Sequence, residues 1–190
     1  MHVTKTPTAL DLPMVNPLPD ATQKYFDICT DKLGMIPNVL QAYAFDIDKL
    51  EAFTGLYNDV MFAESGLSKL EREMIAVTVS SINKCFYCLT AHGAAVRQLS
   101  GDPKLGEALV MNWRAANLDA RQKAMLQFAD LMTVNSANIV ETDRDALRQV
   151  GFTDRDIWDI AATASFYNMT NRMASATDML PNDNYHSLAR

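Results

Sequence analysis

Two cysteines and a histidine lie close together near the middle of the chain, as Cys85, Cys88 and His92, and Glu73 precedes Cys85 by twelve residues. In a helix, at about 100° per residue, the side chains of Cys88 and His92 point to roughly −60° and −20° relative to Cys85, so all three share one face. Two thiols one turn apart are able to close a short disulfide. The imidazole, four residues beyond Cys88, is placed to take the proton from its sulfur. The spacing therefore predicts a dithiol redox centre.

Two other interpretations of these residues stay open. Buried free cysteines often pack as small hydrophobic residues, so an inert pair beside an accidental histidine is one of them. Zinc is the other, because C-x-x-C is a common ligand spacing. A structural zinc site takes four ligands, however, and His2 and His186 fall in predicted terminal segments, so no fourth ligand is evident. We expect no metal and no other cofactor, and we expect Cys29, alone in the first predicted helix, to be a core residue.

The composition is that of an ordinary globular protein, with 48% hydrophobic residues, seven glycines and seven prolines in 190 residues. The formal net charge of −6 argues against sequence-independent nucleic-acid binding, which needs a basic face. No apolar run approaches the ~20 residues of a membrane span, and the start of the sequence lacks a signal-peptide core. We therefore expect a cytoplasmic protein. In a reducing cytosol a C-x-x-C pair is usually catalytic or metal-binding.

Helical signals dominate the chain and predict an all-α fold. Residues 1–19 are rich in proline and are expected to form an extended arm, residues 20–180 a single domain, and residues 181–190 a C-terminal tail. A helical stretch from Pro37 to about Ala63 can break near Asp46, and Asn83-Lys84 predicts a joint before a helix over residues 85–99. Cap residues predict the other helix starts at Asp20, Ser68 with Glu71, Asp102-Pro103, Asp119 with Gln122, Thr142 with Asp145, and Thr153 with Asp156.

A displaced self-comparison indicates that the helical unit is duplicated. After a shift of 85 residues, Ile75-Ala76-x-Thr78-x-Ser80-x-x-Asn83 falls on Ile160-Ala161-x-Thr163-x-Ser165-x-x-Asn168, and the caps at Ser68 and Thr153 coincide. The copies differ at the polar stripe, where Glu73, Cys85, Cys88 and His92 fall on Trp158, Thr170, Met173 and Thr177. Because only the first copy has the stripe, chemistry is favoured over packing as its purpose. We expect Trp158, Thr170 and Met173 to serve packing.

The string Glu73-x₁₁-Cys85-Phe86-Tyr87-Cys88-Leu89-Thr90-Ala91-His92, with residues 76–83 before it, resembles the active-site segment of the alkylhydroperoxidase D-like family. That family belongs to the carboxymuconolactone decarboxylase superfamily, and the similarity is strongest to its peroxidase-related branch, which carries C-x-Y-C. The resemblance implies an all-helical fold and assembly into homotrimers or hexamers. It also implies a peroxiredoxin-type reduction of hydroperoxides through a C-x-x-C disulfide cycle, without haem or metal.

Carried onto this sequence, the resemblance implies that Cys88 attacks the peroxide, that Cys85 resolves the product, and that His92 and Glu73 relay protons. A dithiol partner must then reduce the disulfide, and in the resembling family it is a lipoyl-bearing or thioredoxin-like protein. One position departs from the better-studied members, which have a histidine where this chain has Tyr87, a poor base near neutral pH. The alternative to a hydroperoxide reductase is therefore a dithiol/disulfide oxidoreductase or redox sensor without efficient peroxide turnover.

Overall fold

The computed structural model describes residues 7–190, and in this part of the chain the protein is built from α-helices without any strand. The predicted all-α fold class is thus confirmed. The α-helices are α1 (Asp20–Leu33), α2 (Asn38–Tyr43), α3 (Ile47–Phe62), α4 (Lys69–Asn83), α5 (Phe86–Ser100), α6 (Pro103–Asn112), α7 (Ala120–Asn135), α8 (Glu141–Gln149), α9 (Asp154–Ala176) and α10 (Asn184–Ser187). Short 3₁₀ helices follow α6 and α7, at Trp113–Ala115 and Ser136–Asn138.

Most helix boundaries follow the signals in the sequence. Capping boxes start α4 at Ser68, α7 at Asp119 and α9 at Thr153, and Asp46 caps α3 after a break. Gly34 ends α1 in the left-handed conformation that a glycine adopts without strain.

Two predicted starts are displaced. Thr142 lies inside α8 rather than at its cap, because the carboxylate of Asp143 accepts a hydrogen bond from the backbone N–H of Val140 at 2.8 Å and the helix begins at Glu141. Asp20 is the first helical residue of α1, after Pro19, and its side chain makes no capping bond. In that position its charge still favours the helix N-terminus.

Helix α4 is the centre of the fold. Every residue from Glu71 to Ser80 is buried, and the helix packs against α5, α6, α7 and α9. A helix that is covered on all sides carries apolar residues on more than one face rather than along one stripe. This explains why residues 75–79 form a β-branched run that resembles a strand in the sequence.

The two copies of the helical unit lie against each other. Helix α4 packs on α9, and the Nδ2 of Asn83 donates to the Oδ1 of Asn168, its counterpart under the 85-residue shift, at 3.0 Å. The caps of the two helices are also built alike. In each of them the backbone N–H and the hydroxyl of the cap residue donate to the acid three residues on, at 2.8 Å.

Both terminal segments are attached to the helical body. Residues 1–6 of the predicted arm lie outside the described residues, as does His2, and the rest of the arm is non-helical. Its Ala9 N–H donates to the carbonyl of Thr177 at 2.8 Å. At the other end, the buried guanidinium of Arg97 donates to the carbonyls of Tyr185 and Leu188, which fixes the last residues against α5. None of the helices within residues 7–190 is both long and apolar enough to cross a membrane.

Candidate active site

A break between α4 and α5 positions the two thiols of the C-x-x-C pair. Lys84 adopts a left-handed backbone (φ 57°), and the chain restarts with Cys85 as the N-cap of α5. The Sγ of Cys85 accepts a hydrogen bond from the backbone N–H of Cys88 at 3.4 Å. Both sulfurs therefore lie at a helix N-terminus, where free N–H groups and the helix dipole favour negative charge. Both cysteines are buried, and neither is in a disulfide.

The two thiols share a proton. The Cys88 thiol donates a hydrogen bond to the Cys85 sulfur, and this bond, with the backbone N–H groups and the nearby His92, lowers the pKa of Cys85 to about 7. The same hydrogen bond, together with burial, raises the pKa of Cys88. Near neutral pH the pair therefore holds one negative charge and one proton between its two sulfurs.

His92 is fixed by residues from two other helices. Its Nδ1 lies 2.7 Å from the Oε2 of Glu73 on α4, and only 15% and 10% of the two side chains are exposed. The ring of Tyr167 on α9 packs edge-on against the imidazole, with centroids 4.6 Å apart. Because Glu73 occupies Nδ1, Nε2 is the ring nitrogen left to exchange protons with a bound molecule.

A largely apolar cavity of about 440 Å³ adjoins this cluster, within the range of about 300–1,000 Å³ typical of small-molecule sites. Cys88, His92 and Glu73 line it, whereas Cys85 does not. The chain has six tyrosines, and all of them line this cavity: Tyr25, Tyr43, Tyr57, Tyr87, Tyr167 and Tyr185. The cavity thus offers an apolar interior with phenol groups around its wall, and it gives access to only one of the paired thiols.

Helices α1 to α3 also contribute side chains to the cavity wall. Tyr43 and Phe53 stack with ring centroids 4.4 Å apart, and Phe53 in turn contacts Phe166 of α9 at 5.7 Å. Cys29 of α1 is buried, as expected, but it also lines the cavity. Burial raises the pKa of the Cys29 thiol, so it is not activated in the way that Cys85 is.

Tyr87, which departs from the family pattern, has a definite place in the structure. It is 5% exposed, and its phenol oxygen accepts a hydrogen bond from the backbone N–H of Val39 at the start of α2, at 3.1 Å. Burial holds the pKa of Tyr87 well above its usual value. The phenol therefore stays neutral and anchors α2 over the cavity, and it does not act as a base.

The structure places three of the four predicted site residues, Cys88, His92 and Glu73, on the cavity wall, and Cys85 beside Cys88 but outside the cavity. It corrects the packing roles expected for their second-half counterparts. Trp158 is 72% exposed, and Thr170 and Met173 line the cavity, because α9 runs along its wall. No group of three or more histidine, cysteine, aspartate or glutamate side chains within residues 7–190 is arranged to hold a metal ion.

Three polar residues near the thiols were not predicted as site residues, although Ser80 belongs to the duplicated pattern of the sequence. Tyr167 packs on His92. Asn171 donates to Ser80 at 2.9 Å, and both side chains favour a lower pKa of Cys88, against the larger effects of Cys85 and of burial. Tyr167 and Asn171 come from the copy that lacks the stripe, and under the 85-residue shift Asn171 falls on the unrelated Phe86. Only the contact between α4, α5 and α9 brings them to the thiols.

The fold and the site define an all-helical protein with a buried dithiol beside a histidine–carboxylate pair. Residues 48–110 match the profile of the carboxymuconolactone decarboxylase family. A peroxidase-related protein from Silicibacter sp. TM1040 is 70% identical over 100% of both chains, with a TM-score of 0.96. A peroxidase-related protein from Ralstonia eutropha JMP134, described as an alkylhydroperoxidase AhpD core, is 38% identical over 96% of both chains, with a TM-score of 0.92. This chain therefore belongs to the carboxymuconolactone decarboxylase family, in its alkylhydroperoxidase D-like, peroxidase-related branch.

The same fold occurs in a more distant protein. The debrominase Bmp8, solved in complex with 2,3,4-tribromopyrrole, has a TM-score of 0.79 and 19% identity over 94% of this chain and 95% of its own. Among curated proteins, none matches the sequence significantly.

Proposed function

We propose that this protein is a thiol-dependent hydroperoxide reductase that cycles Cys85 and Cys88 between dithiol and disulfide. The observation that carries the proposal is the set of side chains that meet where Cys88 lines the cavity. Cys88 faces it beside the His92–Glu73 pair, and a second thiol with a pKa of about 7 lies one turn away. A nucleophile, a proton donor and a resolving thiol are thus assembled next to a space for substrate.

The proposed reaction begins with attack of the Cys88 thiolate on the terminal peroxide oxygen. An S–O bond forms, the O–O bond breaks, and the alkoxide leaves with the electron pair, taking a proton from His92 while Glu73 holds the imidazole in place. The product on Cys88 is a sulfenic acid. Cys85 then gives up its proton and attacks the Cys88 sulfur, the S–S bond forms, and the hydroxide that leaves takes up that proton to become water. The peroxide has gained two electrons, and the two thiols have lost them.

The cavity supports an organic hydroperoxide as the substrate. Hydrogen peroxide needs space for two oxygen atoms, whereas about 440 Å³ of apolar space accommodates a molecule of drug-like size. An apolar substrate body also gains free energy by leaving water for such a wall. The phenol groups on the cavity wall are able to hydrogen-bond to the peroxide group.

The cycle needs a second dithiol to return the disulfide to thiols, and we propose a lipoyl-bearing or thioredoxin-like protein as this electron donor. A reducing compartment such as the cytoplasm is the setting in which such donors keep the pair reduced. We also propose that the chain forms a homo-oligomer, a trimer or hexamer. Large apolar side chains on its surface support association, since Met111 and Trp158 are 80% and 72% exposed.

The alternative is a dithiol/disulfide oxidoreductase or redox sensor that reacts with peroxide once and turns over slowly. Tyr87 favours it, because the better-studied relatives have a histidine before the second cysteine and the phenol here is neutral and engaged with α2. The two functions differ in turnover rather than in the first oxidation.

The test follows the consumption of cumene hydroperoxide and hydrogen peroxide with dihydrolipoamide or reduced thioredoxin as donor. We expect many turnovers per protein chain, a higher kcat/KM for cumene hydroperoxide, and no loss of rate after treatment with a chelator. Oxidation of one dithiol per chain without further turnover, with either donor, would instead support the sensor. Peroxide that leaves both thiols intact would rule out both functions.

A further inference from the structure

Two buried polar side chains lie against Cys88 where the cavity does not reach. Ser80 of α4 and Asn171 of α9 are 0% and 1% exposed, and neither lines the cavity. The Cys85 thiol and burial raise the pKa of Cys88, whereas hydrogen bonding from Asn171 and Ser80 acts in the opposite direction. The Nδ2 of Asn171 also donates to the Oγ of Ser80 at 2.9 Å. Cys88 therefore lines the cavity, whereas Ser80 and Asn171 do not.

The hydrogen-bond network fixes the orientation of the Asn171 amide. Its Oδ1 accepts from the Nδ2 of Asn83 at 3.0 Å, so its NH₂ group is the end that faces Ser80 and Cys88. One of the two amide hydrogens goes to Ser80 and the other is left for the sulfur. Because the Ser80 oxygen accepts from Asn171, its own hydrogen is likewise free to donate to Cys88. Two donors aimed at a sulfur stabilise the thiolate more than the thiol.

This arrangement bears on which thiol carries the charge when substrate arrives. The N-terminus of α5 favours negative charge on Cys85, yet the cavity reaches Cys88. We propose that Ser80 and Asn171 are positioning residues that draw the shared negative charge onto the Cys88 sulfur, so that the thiol facing the substrate is the one that attacks. The inference rests on the proposed function for the identity of the attacking atom. Ser80 and Asn171 are not changed by the reaction. The S–O bond forms at the Cys88 sulfur, and the O–O bond of the peroxide breaks.

Other ionisable groups surround Cys88, and the test must hold them constant. Burial keeps the pKa values of Tyr87 and Tyr167 well above their usual range, so these phenols stay neutral across the pH range of the experiment. Replacing Cys85 removes the strongest coupling. The remaining ionisable groups that line the cavity are Glu73 on α4, His92 on α5, Cys29 and Lys32 on α1, Tyr25 on α1, Tyr43 on α2, Tyr57 on α3 and Tyr185 on α10, and they are unchanged in every variant compared.

The experiment measures the rate of alkylation of Cys88 by iodoacetamide against pH in the Cys85→Ser protein, with the labelled peptide identified by mass spectrometry. Adding Ser80→Ala or Asn171→Ala should raise the midpoint of this rate-against-pH curve by about one to two pH units. The reason is that each change removes a hydrogen bond to the charged sulfur. Asn168→Ala is the matched control. It removes an amide from the same asparagine cluster without touching Cys88, so the midpoint should stay in place.

An unchanged midpoint in folded Ser80→Ala and Asn171→Ala proteins overturns the proposal, and so does an equal shift in Asn168→Ala. If Asn171→Ala does not fold, Ser80→Ala, which removes a single oxygen atom, decides the question alone. Alkylation needs no peroxide, so this result is independent of turnover. If the alkylation midpoint shifts in these variants but the wild-type protein consumes no hydroperoxide, the proposed function is wrong. The effect of Ser80 and Asn171 on the charge of Cys88 would still hold.

Discussion

The two copies of the helical unit begin alike and then diverge. Helices α4 and α9 start from capping boxes with the same hydrogen bonds, and they meet at the Asn83–Asn168 pair. After Asn83 the chain breaks at Lys84 and α5 begins, whereas after Asn168 helix α9 continues unbroken to Ala176. The break provides a second helix N-terminus, and the two thiols lie on it.

The unbroken helix could not provide the same environment. Thr170 and Met173, the counterparts of Cys85 and Cys88, lie in the C-terminal part of α9, where backbone N–H groups are already bonded within the helix. A thiol there would lack the donors that lower the pKa of Cys85. The difference shows that an equivalent scaffold is not enough, because the pKa of Cys85 is lowered at the point where the helix is interrupted. The second copy contributes in another way, by placing Tyr167 and Asn171 against the first.

The largest expected effect separates the paired cysteines from their counterparts. Cys88→Ser should abolish peroxide consumption, and Cys85→Ser should allow one attack and then stall as a sulfenic acid that dimedone traps on Cys88. Thr170→Cys with Met173→Cys, placed in a protein without Cys85 and Cys88, should not restore turnover, because these positions are far from a helix N-terminus. Turnover by the transplanted pair, or dimedone label on Cys85 in the Cys88→Ser protein, would contradict this account.

The next effect concerns the proton relay. His92→Ala should slow the reaction with peroxide by about 10²- to 10⁴-fold, the range for loss of a positioned acid–base group. Glu73→Gln should give a milder defect, because an amide still holds the imidazole but does not stabilise its charged form. Thr177→Ala, at the counterpart of His92, should leave the rate unchanged. Single-turnover kinetics at saturating peroxide measure all three, and an equal loss in Thr177→Ala would show that the effect is structural.

A smaller effect is the pH dependence of thiol reactivity in the wild-type protein. Because the pKa of Cys85 is lowered to about 7, its alkylation should fall roughly tenfold per pH unit below that value, as the thiolate is protonated, and should level off above it. Burial raises the pKa of Cys29, which should therefore react only at higher pH. Peptide mapping after timed exposure to iodoacetamide distinguishes the alkylation of Cys85 from that of Cys29. The same pH dependence for both thiols would contradict a special role for the N-terminus of α5.

The smallest effect tests whether the scaffolds are equivalent. Ser68→Ala and Thr153→Ala each remove a side-chain cap, so each should lower the free energy of unfolding by about 1 kcal/mol. Denaturation in urea should show similar losses for the two variants, with peroxide reactivity retained. Losses of unfolding free energy that differ by several-fold would mean that the two capping boxes stabilise the protein unequally despite their matching hydrogen bonds.

The sequence was sufficient to predict features that depend on residues close in the chain. The capping boxes, the joint at Lys84 and the shared helical face of Cys88 and His92 all arise from spacings of a few residues. The prediction that Cys85 shares this face was wrong, because Cys85 is the N-cap of α5 and does not line the cavity. The contributions of Ser80, Asn171 and Tyr167 could not be predicted, because they depend on how α4, α5 and α9 pack. The cavity is likewise a tertiary feature, since Tyr43 and Phe53 reach it from helices that carry no active-site motif. The role of Tyr87 was also hidden, because its partner, the Val39 N–H, is 48 residues away.

The central claim is that Cys85 and Cys88 act as one redox pair, and the most direct test is to count thiols and measure intact mass before and after stoichiometric tert-butyl hydroperoxide. We predict that two titratable thiols disappear, that the mass falls by two hydrogens, and that peptide mapping finds a Cys85–Cys88 disulfide with Cys29 still free. A disulfide that includes Cys29, or stable oxidation of a single thiol, would contradict the account.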